Sequence, residues 1–238
     1  MLYIAFLGQI VYGDYTMVER IVVGSMDTNC YLYSDGKKEC LIVDPGGDEE
    51  RICGNINLLK MVPVGIVLTH GHFDHTASVG KLKEFYKKEG IDLAVAIHKL
   101  DKEYLGKKAG KTNMETLKNL GLPEEEELGR LLFKLPEPDV ILKKGDSVFN
   151  TGLVVIETPG HTRGSICLYS EKDGLLFSGD TLFFQSIGRF DLPGGDERQL
   201  LESIRSRLLV LPPETRVFPG HGVSTTIERE MKGNPFIR

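Results

Sequence analysis

A chain of 238 residues is ample for a large buried core, and 41% hydrophobic with 26% charged residues is ordinary for a globular protein. A net charge of −5 and a pI near 5.7 give no pull toward nucleic acid or an anionic membrane surface. No apolar run reaches the roughly 18 residues of a membrane span, and the opening MLYIAFLGQIVYG has neither the basic n-region nor the cleavage site of a signal peptide. Cys30, Cys40, Cys53 and Cys167 are scattered and form no CxxC pair, so they read as reduced thiols of a cytoplasmic protein.

Taken in chain order, residues 1–16 read as an N-terminal extension. RIVVG (20–24), CYLYS (30–34) and CLIVD (40–44) are β-rich, and the last stops at the turn DPGGD. A helical pattern covers 48–60. VGIVLT (64–69) is a continuous apolar run of the kind found in a buried strand. Residues 76–90 carry helical spacing and end at Gly90, and LAVAIH (93–98) is the next strand. From Lys99 to Glu137 the composition turns rich in Lys, Glu and Leu, which predicts a helical insertion outside the sheet layers. Its acidic run Glu124 to Glu127 suits a solvated helix N-terminus. Strands return at 152–159, 165–170 and 174–179, an amphipathic helix covers 196–211, and TRVFPG (215–220) is a last strand before a short closing helix. Strands and helices interleave in two similar halves, without repeats or linkers, so a single α/β domain over 1–238 is expected.

The chemistry is concentrated after the buried strand at 64–69. His70-Gly-His72-Phe-Asp74-His75 places three of the six histidines and an aspartate within six residues. His70 and His72 are two apart and point the same way in an extended loop, with Gly71 permitting a tight turn. Asp74 and His75, being adjacent, suit a second centre nearby. Neutral imidazoles with a carboxylate are the usual ligands of zinc and iron. Three later strands also end in a glycine-containing turn with an ionisable residue: His161 in VVIETPGHT, Asp180 in GLLFSGDT and His221 in TRVFPGHG. Strand-end loops are where α/β sheets place their sites. Only His98 is left over, as a structural or surface residue.

The pattern HxHxDH (70–75) followed by His161, Asp180 and His221 resembles the metallo-β-lactamase fold superfamily. The flanks TNCYL (28–32), VDPGG (43–47), TPGHTRGS (158–165), SGDTLF (178–183), IGRFDLPGGD (187–196), FPGHG (218–222) and NPF (234–236) resemble the glyoxalase II-like hydrolases. The resemblance implies a four-layer αββα sandwich holding two divalent metal ions, zinc by default, with iron or manganese as alternatives. It assigns His70, His72 and His161 to the first metal, Asp74, His75 and His221 to the second, and Asp180 to both. Asp44 is expected to orient a ligand imidazole from behind, and Asp74 is also assigned as catalytic.

The activity implied is hydrolysis of a small acyl thioester such as S-lactoylglutathione, by attack of a metal-bridging hydroxide on the acyl carbonyl. The expected partner is a small-molecule substrate, with no nucleic acid or membrane involved. Arg189, Arg163 and Phe183 are candidate substrate contacts: the arginines suit a carboxylate, and Phe183, Phe184 and Phe190 suit an apolar wall. The C-terminal helical domain that helps full-length glyoxalase II bind glutathione has no counterpart here, since only 17 residues follow His221. The alternatives within the superfamily are a persulfide dioxygenase, with one iron on His70, His161 and Asp180, and a lactonase or other ester hydrolase.

Overall fold

Successive side chains of a strand point to opposite faces of its sheet. In the computed structural model, which describes residues 16–119 and 135–237, this alternation sorts the first strands between two cores. Cys30 and Leu32 of β2 (Thr28–Ser34) face one core while Tyr31 and Tyr33 face another. Cys40 and Ile42 of β3 (Glu39–Val43) are divided from Leu41 and Val43 in the same way. β1 (Met17–Val23), β2 and β3 pair antiparallel. The sheet continues in parallel through β4 (Val62–Val67), β5 (Val95–His98) and β6 (Val140–Leu142), making six strands.

A second mixed sheet is built from β7 (Val154–Glu157), β8 (Ile166–Ser170), β9 (Leu175–Gly179), β12 (Arg216–Pro219) and β13 (Thr225–Thr226), in the spatial order β13-β12-β9-β8-β7. Between its members in sequence, β10 (Leu182–Phe183) and β11 (Ser186–Ile187) form a separate two-stranded hairpin.

Three cores separate four layers. Ile52 and Ile56 of α1 (Glu49–Leu58) pack on the outer face of the six-stranded sheet, as do Val79 and Leu82 of α3 (Val79–Lys88), which follows the one-turn helix α2 (Phe73–Thr76). Leu117 of α4 (Ala109–Asn119) joins the same core. Between the sheets lie Tyr31, Tyr33, Val67, Leu168 and Phe177. The Tyr31 and Phe177 ring centroids are 5.2 Å apart, a contact worth about 0.5–1.5 kcal/mol beyond the area it buries. On the far side, Leu200 of α5 (Glu197–Ser203), Ile204 and Leu208 of the π turn that prolongs it, and Ile227 of α6 (Ile227–Gly233) cover Cys167, Leu176 and Val217. The αββα expectation is met.

Local differences have local causes. The helix expected over 76–90 is α3, which starts only at Val79, because Phe73–Thr76 closes a separate turn before it. Within 99–137, two 3₁₀ turns (Lys102–Tyr104 and Gly106–Lys108) precede α4. The acidic run 124–127 and residues 1–15 lie outside the described residues. β6, β10, β11 and β13 have two or three residues each, too few for a periodic signal. All four cysteines are free and buried, and burial pushes each thiol up, that of Cys40 to about 12. Among the described residues no helix is long and apolar enough to cross a membrane.

Candidate metal centre

Five loops meet at one edge of the two sheets, each leaving the C-terminal end of a strand: β3, β4, β7, β9 and β12. They bring all seven proposed ligands together. His161 Nε2 lies 3.2 Å from His70 Nε2 and 2.9 Å from His72 Nδ1. His221 Nε2 lies 3.2 Å from Asp74 Oδ2, and His75 Nε2 lies 3.4 Å from the same oxygen. Asp180 stands between the two groups. Its Oδ1 is 3.4 Å from His75 Nε2, and its Oδ2 is 3.7 Å from His161 Nε2 and 3.6 Å from His221 Nε2. Asp74 and His75, although adjacent, reach one point, with Asp74 Oδ2 and His75 Nε2 3.4 Å apart.

The hydrogen bonds behind the rings decide which nitrogen faces inward. His161 Nδ1 donates to Arg189 O at 2.7 Å, and His75 Nδ1 donates to Asp44 Oδ2 at 3.0 Å. Thr69 Oγ1 donates to Asp44 Oδ2 at 2.6 Å, so it can accept from His70 Nδ1 at 3.2 Å. With Nδ1 so committed, Nε2 of all three rings presents a lone pair to the centre. Buried His75 Nε2 and Asp180 Oδ1 have no hydrogen-bond partner. Lone pairs converging at 3.2 Å are favourable only around a cation, and ring N–H groups held by carboxylate or carbonyl are the supports metal-binding histidines carry. The residues present therefore fit a binuclear metal site, as three overlapping clusters of His and Asp, two of them sharing His70 and two sharing His75.

The two groups differ electrically. Burial, then the charges of His75 and His161, holds His70 well below the usual histidine range, and burial with His161 brings His72 down to about 3. In the other group burial also opposes the charged ring, but Asp74, Asp180 and Asp44 raise His75 well above its ordinary value. His221 is likewise raised against burial, by its hydrogen bond to Asp74 and by Asp180. Burial alone would push both aspartates up. His75 foremost holds Asp74 to about 2 and Asp180 below the usual carboxylate range.

Packing keeps the loops in place. A side chain on Gly220 would put its Cβ 2.2 Å from Asp180 Oδ1, so only glycine lets the 218–222 loop approach. Gly71 is needed for space rather than for a turn: its φ is not positive, and a Cβ there would lie 2.3 Å from the Tyr104 ring. Tyr104 in turn stands edge-on to His72 at 5.5 Å. Asn29 Nδ2 donates to Pro219 O and Gly222 O, fastening the His221 loop to the first sheet. Thr28 Oγ1 donates to Asp74 Oδ2.

Asp101 has no distinguishing signal in the sequence. It is buried, and it accepts from Gly71 N (2.9 Å), Thr162 Oγ1 (2.7 Å) and Gly164 N (2.7 Å). It thus ties the His70–His72 loop to the His161 loop, and burial raises its own pKa. His98 is buried against Glu157, 3.2 Å away, and takes no part in the centre.

A cavity of about 390 Å³ opens over the ligands. Phe183 lines it, 6.3 Å from the His221 ring, together with Met26, Phe73, Ile187 and Leu192. Thr116 of α4 also lines it, so part of the 99–137 segment reaches the cleft. The other candidates for substrate contact are placed differently from one another. Phe190 packs into the third core, and Phe184 lies under the Arg229 guanidinium. Arg189 borders the cavity, but its guanidinium is held by both oxygens of Asp191 at 2.8 Å, which satisfies the planar fork within the chain. Arg163 is exposed and does not line the cavity.

Comparison with known proteins agrees with this geometry. The chain is 32% identical over 228 residues to hydroxyacylglutathione hydrolase GloC of Haemophilus influenzae, covering 92% of this chain and 97% of that protein. Among solved structures, BLEG-1 B3 metallo-beta-lactamase superposes with a TM-score of 0.80 at 35% identity, covering 93% of this chain and 99% of that one. TTHA1623 in a di-iron-bound form superposes with a TM-score of 0.73 at 34% identity, covering 92% and 100%. Residues 23–221, which span every proposed ligand, match the family description "Metallo-beta-lactamase superfamily", and the chain belongs to that superfamily as a probable metallo-hydrolase.

Proposed function

We propose that the protein hydrolyses a small acyl thioester, with S-lactoylglutathione or a related low-molecular-weight thiol ester as the leading substrate. The observation that carries the reading is the junction of two ligand groups under a single cavity whose remaining lining is mostly apolar. That suits an acyl group beside a hydrolytic centre. The likeness to GloC, a hydroxyacylglutathione hydrolase, supports the thioester over other acyl compounds.

His70, His72 and His161 would hold one metal, Asp74, His75 and His221 the other, and Asp180 would serve both. Bound there, two divalent ions, zinc by default and iron or manganese as alternatives, supply Lewis acidity that lowers the pKa of a water toward about 7 and withdraws charge from the acyl oxygen. Asp74, between His221 and His75 and open to the cavity, orients the attacking water. Phe183 and Ile187 wall the acyl group from bulk water. A departing thiolate needs little protonation, so the reaction requires no dedicated general acid. Asp44 keeps the His75 ring turned inward.

Purified with its native metal, the protein should contain close to two metal ions per chain and release free thiol from S-lactoylglutathione. Because BLEG-1 is named a B3 metallo-beta-lactamase, a β-lactam belongs in the same panel, with a lactone and a persulfide. Turnover of one of these by the fully metallated protein, with no thioester cleaved, would refute the assignment. One iron per chain with Asp74 and His75 uncoordinated would favour the dioxygenase.

A further inference from the structure

The segment Asn234 to Phe236 takes no part in the metal centre. Yet Asn234 is fully buried, as is Glu230 one helical turn before it. The Glu230 carboxylate accepts from Thr225 Oγ1 (2.5 Å), Gln185 N (2.8 Å) and Asn234 Nδ2 (2.9 Å). Asn234 Nδ2 also donates to Ser186 O at 2.9 Å, and its Oδ1 accepts from Phe236 N at 3.0 Å. Two of these bonds run to the β10–β11 hairpin.

That hairpin is poorly equipped to hold itself. It has only two residue pairs, Leu182 with Ile187 and Phe183 with Ser186, and an isolated two-stranded hairpin is marginal in water. Gln185 in its turn has φ +53°, a conformation a non-glycine residue adopts at a cost. The Glu230 carboxylate on its N–H holds it there. Phe183, Ser186 and Ile187 of the same hairpin line the cavity. A buried carboxylate and a buried carboxamide on α6 and just beyond it therefore fix one wall of the site.

We propose that Glu230 and Asn234 are positioning residues that set the β10–β11 wall of the cavity and, through it, select the size of the acyl group. This rests on reading the cavity as the acyl site.

The test compares Glu230→Ala, Asn234→Ala and Glu230→Gln with the wild-type holoenzyme. Three quantities are measured: metal content, amide hydrogen exchange, and kinetics on lactoyl and benzoyl thioesters of glutathione. In both alanine variants the amides of residues 185–187 should exchange at least about tenfold faster while residues 70–75 are unchanged. KM for the lactoyl ester should rise at least about fivefold with kcat within about twofold, and the preference between the two esters should shrink. Glu230→Gln keeps an acceptor for Gln185 N and Asn234 Nδ2, so it should behave as wild type. Unchanged exchange and selectivity in the alanine variants would overturn the proposal. So would a loss of metal and of kcat with KM unaltered, which would mark a general scaffold role. Should Glu230→Ala fail to fold, Asn234→Ala carries the test, since it leaves the bonds from Thr225 and Gln185 in place. If metal-loaded wild type cleaves no thioester, the thioesterase reading fails, and the exchange arm alone decides the anchor.

Discussion

The two halves of the metal centre solve one problem in opposite ways. The His70, His72 and His161 half is made of imidazoles, and burial and mutual repulsion hold His70 and His72 uncharged. Asp101 locks its two loops together from behind. The Asp74, His75 and His221 half mixes carboxylates with histidines whose pKa values are raised, and it is tied by Asp44, Thr28 and Asn29. A cation entering the first half meets free lone pairs. In the second the surrounding carboxylates raise the pKa values of His75 and His221, so a cation there competes more strongly with protons, since a metal ligand binds deprotonated. Similar ligand atoms thus become two sites of different proton demand, and the difference comes from how many carboxylates surround them.

The comparison breaks most severely at Asp180, which contacts both halves. Asp180→Ala should lose both metals and lower kcat/KM about 1000-fold or more, the scale seen when a charge-stabilising group is removed. Retention of one full metal equivalent in that variant would contradict a shared ligand. The supporting carboxylates should separate the halves. Asp101→Asn should weaken metal binding at the three-histidine half about 10- to 100-fold, and Asp44→Asn should do the same at the other, with a smaller loss at the first half because Asp44 also reaches His70 through Thr69. Competition with a graded chelator, read as metal equivalents per chain, distinguishes the two. Equal loss from both halves in either variant would show that the halves are not supported independently.

Acid should resolve the halves in the wild type. As pH falls from about 8 toward about 5, His75 and His221, with raised pKa values, regain protons first. Dialysis across that range should therefore release one metal equivalent before the other, leaving the His70, His72 and His161 half loaded longer. Simultaneous release would argue for one coupled site. The smallest effect is expected at Arg189. Its guanidinium is already paired with Asp191 on the surface, so Arg189→Ala should change KM for S-lactoylglutathione less than about threefold. A large rise in KM at constant kcat would return Arg189 to the role of substrate contact.

The ligand residues were visible in the chain because their signal is local. Histidines and aspartates next to glycine at the ends of apolar runs mark strand-end loops wherever the strands come to lie. Interleaved strands and amphipathic helices pointed to an α/β domain, and the αββα layering was implied by the family resemblance of the motifs. The partners of those residues were hidden. Asp101 lies in a Lys- and Glu-rich stretch that looks like solvated surface, and only folding closes it against Gly71 and Gly164, 30 and 63 residues away. Phe184 and Phe190 looked equivalent to Phe183, but the turn of the β10–β11 hairpin sends one under Arg229 and the path beyond it sends the other into the third core.

The arginines show the same limit. Arg189 and Arg163 had the right chemistry for a carboxylate, but Asp191, only two residues on, already pairs with the first, and the fold leaves the second exposed and away from the cavity. By itself the sequence determined which atoms are able to bind metal and which faces of strands and helices must be buried, because spacing along a chain translates directly into direction. Which lone pairs converge, which carboxylate stands behind which ring and which side chains wall the cavity were decided by tertiary structure alone. Those contacts join residues far apart in the chain, and no local periodicity encodes a distance between two loops.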